Sequence, residues 1–161
     1  MKSLVVCFAA CVLFSVPLHA QQPAESGFSN PSPWTGSWKL DVARSSPVAA
    51  EAGVPHVYVL DFEPGGSPTV HFRWQIPEIG EVVKGITDGV PVPIQRTKPA
   101  PELRLGVRKD GPASLTYSVY DDGKQVGGGR MMLIDDGQAW VDVTWPSDHQ
   151  DRASALVYVR K

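Results

Sequence analysis

Cysteine is missing from all but the start of this chain. Both cysteines, Cys7 and Cys11, lie in the first eleven residues, so the chain beyond them can form no disulfide and offers no thiolate nucleophile or cysteine metal ligand. Asparagine is rarer still: Asn30 stands alone and precedes Pro31, which excludes an N-glycosylation acceptor. Positive charge is nowhere concentrated. Basic residues stand singly or in pairs such as Arg108-Lys109, which argues against nucleic acid and against an anionic membrane surface as partners. Helical periodicity is lacking beyond residue 20. The nearest window, Val48 to Gly53, is short and held between Pro47 and Pro55. No segment repeats at a solenoid period.

The one uninterrupted apolar run opens the chain. Met1-Lys2-Ser3 precedes an apolar stretch from Leu4 to Val16, and Pro17-Leu18-His19-Ala20 leads to Gln21. A positive start, a brief apolar core and a small residue at the cut describe a secretory signal over residues 1–20, cleaved after Ala20. Thirteen apolar residues are short for ~30 Å of hydrocarbon. A retained anchor is the alternative reading, and a lipoprotein modified at Cys11 would have Phe8 where a better-fitting residue is needed. The expected mature chain has 141 residues, 14 basic and 17 acidic, for a net charge of −3. That size suits one domain with an unstapled core. The expectation is an exported protein, periplasmic or secreted, without a membrane span after cleavage. Residues 21–33, QQPAESGFSNPSP, read as a flexible Pro/Ser-rich tether, and 34–161 as the domain.

From Trp34 onward, short alternating runs are broken by turn signals: Gly65-Gly66, Asp88-Gly89, Asp110-Gly111, Asp122-Gly123 and Asp136-Gly137. Asp-Gly between alternating hydrophobics is a hairpin cue, because such turns need positive φ. Gly36 to Val42 places Trp38, Leu40 and Val42 on one face. Val70, Phe72, Trp74 and Ile76 alternate with His71, Arg73 and Gln75; Leu103, Leu105 and Val107 with Arg104; Leu115, Tyr117 and Val119 with Thr116 and Ser118. These are half-buried antiparallel strands. Val57 to Phe62, Arg130 to Ile134, Gln138 to Trp145 and Ser154 to Arg160 are apolar on both faces, so they are central or have a second face against something apolar. Val90 to Pro101 holds four prolines and reads as an edge strand or a loop, which leaves full closure open there. The predicted fold is all-β: a single antiparallel up-and-down β-barrel of roughly eight to ten strands.

The segment Trp34-Thr35-Gly36-Ser37-Trp38-Lys39-Leu40-Asp41-Val42-Ala43-Arg44-Ser45 carries a Gly-x-Trp on the first strand. It resembles the opening of bacterial exported lipocalin-like β-barrel proteins, and Leu156 to Lys161 is similar to their last strand. The resemblance implies a small barrel that can hold an apolar molecule. It also implies that Trp38 packs across the barrel bottom with a basic residue stacked on it, Arg160 or else Arg152. On physical grounds alone, a first-strand Trp wants burial and a partner for its indole N–H, and an arginine over its face adds a cation–π attraction.

Candidate ligand-binding residues are Trp74, Tyr117, Tyr120 and Trp140, with Arg73 or Arg130 anchoring a polar head; the same aromatics could instead simply fill a small barrel. No catalytic, metal or cofactor site is expected. His56 and His71 lack a ligand spacing with each other, and Ser147-Asp148-His149-Gln150-Asp151 reads as a solvated loop rather than an acid–base pair. Gly127-Gly128-Gly129 lacks a following helix and reads as a strand bend. Asp142 lies between Trp140 and Thr144. Facing inward it would be a buried acid with a raised pKa, but the alternation sends Val141, Val143 and Trp145 inward and Asp142 to solvent. Three functions are compatible with these residues: a barrel binding a small apolar or amphipathic ligand, a packed barrel acting on a protein partner of unknown identity, and a small barrel hydrolase or isomerase.

Overall fold

The computed structural model describes residues 32–51, 53–64, 70–98, 101–147 and 152–161. The expected leader, most of the tether, the Gly65-Gly66 turn and residues 148–151 of the polar loop lie outside them. Among the described residues eleven strands form one sheet: β1 Gly36–Leu40, β2 Val57–Pro64, β3 Val70–Ile76, β4 Glu81–Ile86, β5 Val92–Pro93, β6 Gln95–Arg96, β7 Leu103–Gly111, β8 Ser114–Asp121, β9 Lys124–Ile134, β10 Ala139–Pro146 and β11 Ser154–Arg160. Nine are full strands and two are two-residue pieces. Every pairing is antiparallel, in the order β5-β7-β8-β9-β10-β11-β1-β2-β3-β4-β6. This is an up-and-down barrel that is closed except for a seam between β4 and β7.

The proline-rich stretch fills that seam. After β4 the chain bridges Asp88 to Arg108 of β7, pairs Val92 and Pro93 with Leu105 and Arg104, then returns so that Gln95 and Arg96 pair with Val82 and Glu81. Proline cannot donate to a ladder, so each contact is short and the segment stitches the seam without becoming a full strand. The Arg96 guanidinium holds the Glu81 carboxylate at 2.6 Å across it.

Local sequence explains where strands stop. The expected first strand to Val42 ends two residues early, at Leu40. The Asp41 carboxylate accepts from the Ala43 and Arg44 amides and bends the chain into a 3-10 turn, Val42–Arg44, leaving Val42 53% exposed rather than inside. Short side chains that bond nearby amides compete with the ladder in this way. The chain continues along the edge of β11, where the Asp41 and Ser46 amides donate to the Val157 and Ala155 carbonyls. Where the Val48 to Gly53 window begins, Pro47–Ala50 form a second 3-10 turn, and Ala49 is buried in the core.

Asp122-Gly123 makes the β8–β9 hairpin with φ of 46° and 74°, the two positive values of a type I′ turn. Asp110-Gly111 instead belongs to the end of β7, and Pro112 and Ala113 turn the chain two residues later. Among the described residues there is no α-helix, and no helix long and apolar enough to cross a membrane.

Candidate functional site

One end of the barrel is solid. Trp38 on β1 is fully buried and donates its indole N–H to the Trp34 carbonyl at 3.1 Å. The Arg160 guanidinium lies 4.2 Å from the Trp38 ring centre and donates to the carbonyls of Pro33, Thr35 and Gly137. Trp34 packs on Phe62 and reaches the Pro112 carbonyl. Arg152, the other basic residue considered for the Trp38 contact, is exposed near the opposite end.

Above that floor, side chains from β2, β3, β8, β10 and β11 form an aromatic stack. Trp140 lies 4.3 Å from Tyr158, nearly parallel, and Tyr58 meets both. Trp74 contacts Tyr58 on one side and Tyr117 on the other, edge to face at 5.6 Å. Such tilted and offset pairs are the favourable arrangements of aromatic quadrupoles. The Tyr158 hydroxyl donates to the Pro55 carbonyl, whereas the buried Trp140 indole N–H has no partner among the described residues.

The stack stops short of the other end, and a cavity of about 130 Å³ remains there. Its walls are the aromatic Tyr58, Trp74 and Tyr117, the aliphatic Ile76, Val83, Ile94, Leu105 and Val119, and Glu81. Ile94 comes from the seam-filling segment, so the stitching supplies part of the wall.

Asp142 overturns the expectation placed on it. It is 4% exposed and faces inward, so Val141, Val143 and Trp145 occupy the outer face of β10. The reason lies two strands away. Tyr117 on β8 pairs with Gly129 on β9, which pairs with Thr144 on β10. A Cβ at Gly129 would collide with the Tyr117 ring. Because glycine stands there, Tyr117 crosses over β9, and its hydroxyl lies 3.1 Å from both carboxylate oxygens of Asp142. The glycine run is thus the trough in which Tyr117 lies, and the irregularity in the β8–β9 register falls next to it, between Val119 and Tyr120.

Burial pushes the Asp142 carboxyl up to about 7, only partly opposed by the Tyr117 hydrogen bond. Burial first, and then the Asp142 charge, raise Tyr117 well above an ordinary phenol. A buried carboxylate without a cation is costly when ionised. Two titratable groups thus meet inside the barrel, as acid–base chemistry there would need. However, Tyr117 and the β10 ladder cover Asp142, so a reacting atom cannot reach its oxygens without displacing that ring.

Of the six candidate binding residues, the structure brings Trp74 and Tyr117 together at the cavity. Trp140 lies deeper, in the stack. Tyr120 is half-buried and falls on the opposite face of β8 from Tyr117 and Val119. Arg73 and Arg130 are exposed on the outer surface, because the alternation that turns Trp74 and Met131 inward turns their neighbours outward. Neither arginine anchors a molecule in the interior. His71 shares an outer-face groove with Arg73, Asp61 and Lys84, and His149 lies outside the described residues. Tyr58 is legible in the sequence as one member of a strand apolar on both faces, whereas Glu81, Val83 and Ile94 carry no signal beyond hydrophobicity.

The same architecture recurs in solved structures. A fatty acid binding protein of Schistosoma mansoni in complex with arachidonic acid is similar with a TM-score of 0.53 at 14% identity, over 81% of this chain and 97% of that one. A variant of the fluorescent protein UnaG gives a TM-score of 0.54 at 14% identity, over 80% and 96%. The fold is a lipocalin-like β-barrel. No protein-family model and no curated protein matches the sequence, so the likeness is one of fold alone.

Proposed function

We propose that this protein is an exported binding barrel that takes a small, largely apolar molecule of about one ring into the cavity beside Trp74 and Tyr117. The observation that carries the reading is the cavity of about 130 Å³ above a packed aromatic floor. A dry apolar cavity of about 150 Å³ is enough to hold benzene, whereas sites for drug-sized ligands run from about 300 Å³ upward. The reading therefore differs in scale from a fatty acid carrier: most of this interior is side chain. Trp74 and Tyr117 act as the contact walls and Trp140 as support behind them.

Export rests on the leader-like anatomy of residues 1–20. The N-terminal sequence of the protein recovered from the envelope and medium fractions of its host tests this. A start at Gln21 supports export, and an intact Met1 in a cytosolic fraction overturns it. Titration with toluene, followed through Trp emission, tests the cavity. Saturable quenching with one site supports the reading. If emission and thermal stability stay unchanged up to the solubility limit, the barrel is a packed scaffold acting through its surface.

A further inference from the structure

We infer that the cavity selects a small organic cation, a single-ring or short-chain amine, and rejects carboxylates. This rests on the binding reading above and adds the charge of the ligand. Among the described residues, no Lys, Arg or His lines the cavity; its one charged wall residue is Glu81. The Glu81 charge is already met by Arg96 at 2.6 Å. Behind Tyr117, Asp142 has no cation among the described residues. Its cross-strand neighbours on β9 and β11 are Met131 and Leu156, and its hydrogen bonds to a side chain come from the Tyr117 hydroxyl alone.

When Asp142 is ionised, the interior therefore holds an uncompensated negative charge in a low-dielectric surround, where such fields act strongly. The walls facing the ligand reinforce that sign. Trp74, Tyr58 and Tyr117 present aromatic rings, whose electron-rich faces attract ammonium groups, with Trp the strongest. A carboxylate ligand would meet the opposite: like charge behind the wall and no cation lining the cavity among the described residues, the nearby Arg96 being already engaged by Glu81. The head group and the volume thus point to one class of molecule, an apolar body of about six to eight heavy atoms bearing one protonated amine.

Three ligands of matched size and different charge test this: benzylamine, benzyl alcohol and benzoate. Each is titrated by calorimetry into the full mature chain at pH 8, above the Asp142 value of about 7. The expected result is benzylamine binding about tenfold tighter than benzyl alcohol, with benzoate weakest. Asp142→Asn should bring the amine down to the affinity of the alcohol. Benzoate binding as tightly as benzylamine overturns the inference, and so does an amine preference that persists in Asp142→Asn. Should that variant fail to fold, the wild-type ranking of the three ligands decides alone. If benzyl alcohol binds without any gain for the amine, the charge inference fails and the cavity reading stands. If none of the three binds, both fail.

Discussion

The Tyr117 hydroxyl lies at the same distance, 3.1 Å, from both carboxylate oxygens of Asp142, so one proton serves two acceptors with no cation beside them among the described residues. That shortage sets the protonation of the barrel interior. In the folded state burial holds the Asp142 carboxyl at about 7 against an ordinary value of 3.8, so the folded chain keeps a proton that the unfolded chain has released.

Stability should therefore fall as pH rises between about 4 and 7 and be level on either side, since only within that window does the folded state hold a proton that the unfolded state lacks. The shift corresponds to a loss on the order of 4 kcal/mol across the window. Asp142→Asn, which has no proton to lose, should flatten the slope and make the protein more stable than the parent at pH 8. Urea unfolding at half-unit pH steps gives both curves. A parent curve that rises through the same window would mean that Asp142 is ionised and paired in the folded state.

Filling the trough should be costly. In Gly129→Ala the new methyl meets the Tyr117 ring, and overpacking of this kind costs about 1–3 kcal/mol. Adding Tyr117→Leu should recover part of the loss, because the ring that clashes is gone. The coupling is read from a double-mutant cycle in chemical denaturation, and strictly additive effects would remove the contact from the explanation.

At the solid end, Arg160→Ala deletes three hydrogen bonds to carbonyls and the cation over Trp38. The expected loss is about 2–4 kcal/mol. Arg160→Lys should restore little of it, because one ammonium cannot reach three carbonyls and lie flat on the indole at once. Thermal unfolding of the three proteins checks this, and equal melting of the Lys variant and the parent would contradict it.

At the seam, Arg96→Gln removes the partner of Glu81. Global stability should drop by about 1 kcal/mol, as for a partly buried pair. Local opening should increase much more, seen as faster hydrogen exchange at the Ile94 amide, which bonds the Leu103 carbonyl, with the β8–β9 amides unaffected. Uniform acceleration over the whole sheet would show that the seam does not open on its own.

Much of this architecture is legible in the sequence because alternation is a strong signal where one face is polar: β3, β7 and β8 follow it directly. β4 is not legible as a strand, since Glu81, Lys84 and Gly85 interrupt its apolar run Val82-Val83, and only its neighbours β3 and β6 make it one. β10 is legible as a strand but not in its orientation. With Trp140 and Trp145 on opposite faces, hydrophobicity cannot choose between them, and the choice falls to a tyrosine on β8 crossing a glycine on β9. Arg73 is a different case: period-two geometry already places it opposite Trp74, so its assignment to the same site conflicts with the pattern that identifies the strand. The cavity itself has no sequence signature, because it is space left over when an aromatic stack ends.

The β1–β11 pairing has a consequence for the order in which the molecule assembles. It joins two meanders, β1 to β4 and β7 to β11, each built of neighbouring hairpins, through groups as far apart in sequence as Thr35 and Arg160, separated by 125 positions. Hairpins close in microseconds, while contacts across so long a loop carry a large entropic cost before they gain anything. Each meander can therefore form early as an open, curled sheet, and the Trp38 emission should change only in the slow closing step. A circular permutant that links Lys161 to Trp34 and opens the chain at Asp122-Gly123 turns that late encounter into a local turn. It should fold faster than the parent in stopped-flow experiments, and an unchanged rate would place the slow step at the proline-stitched seam. Until the final strand arrives, the first one has only β2 beside it, and the barrel stays unfinished.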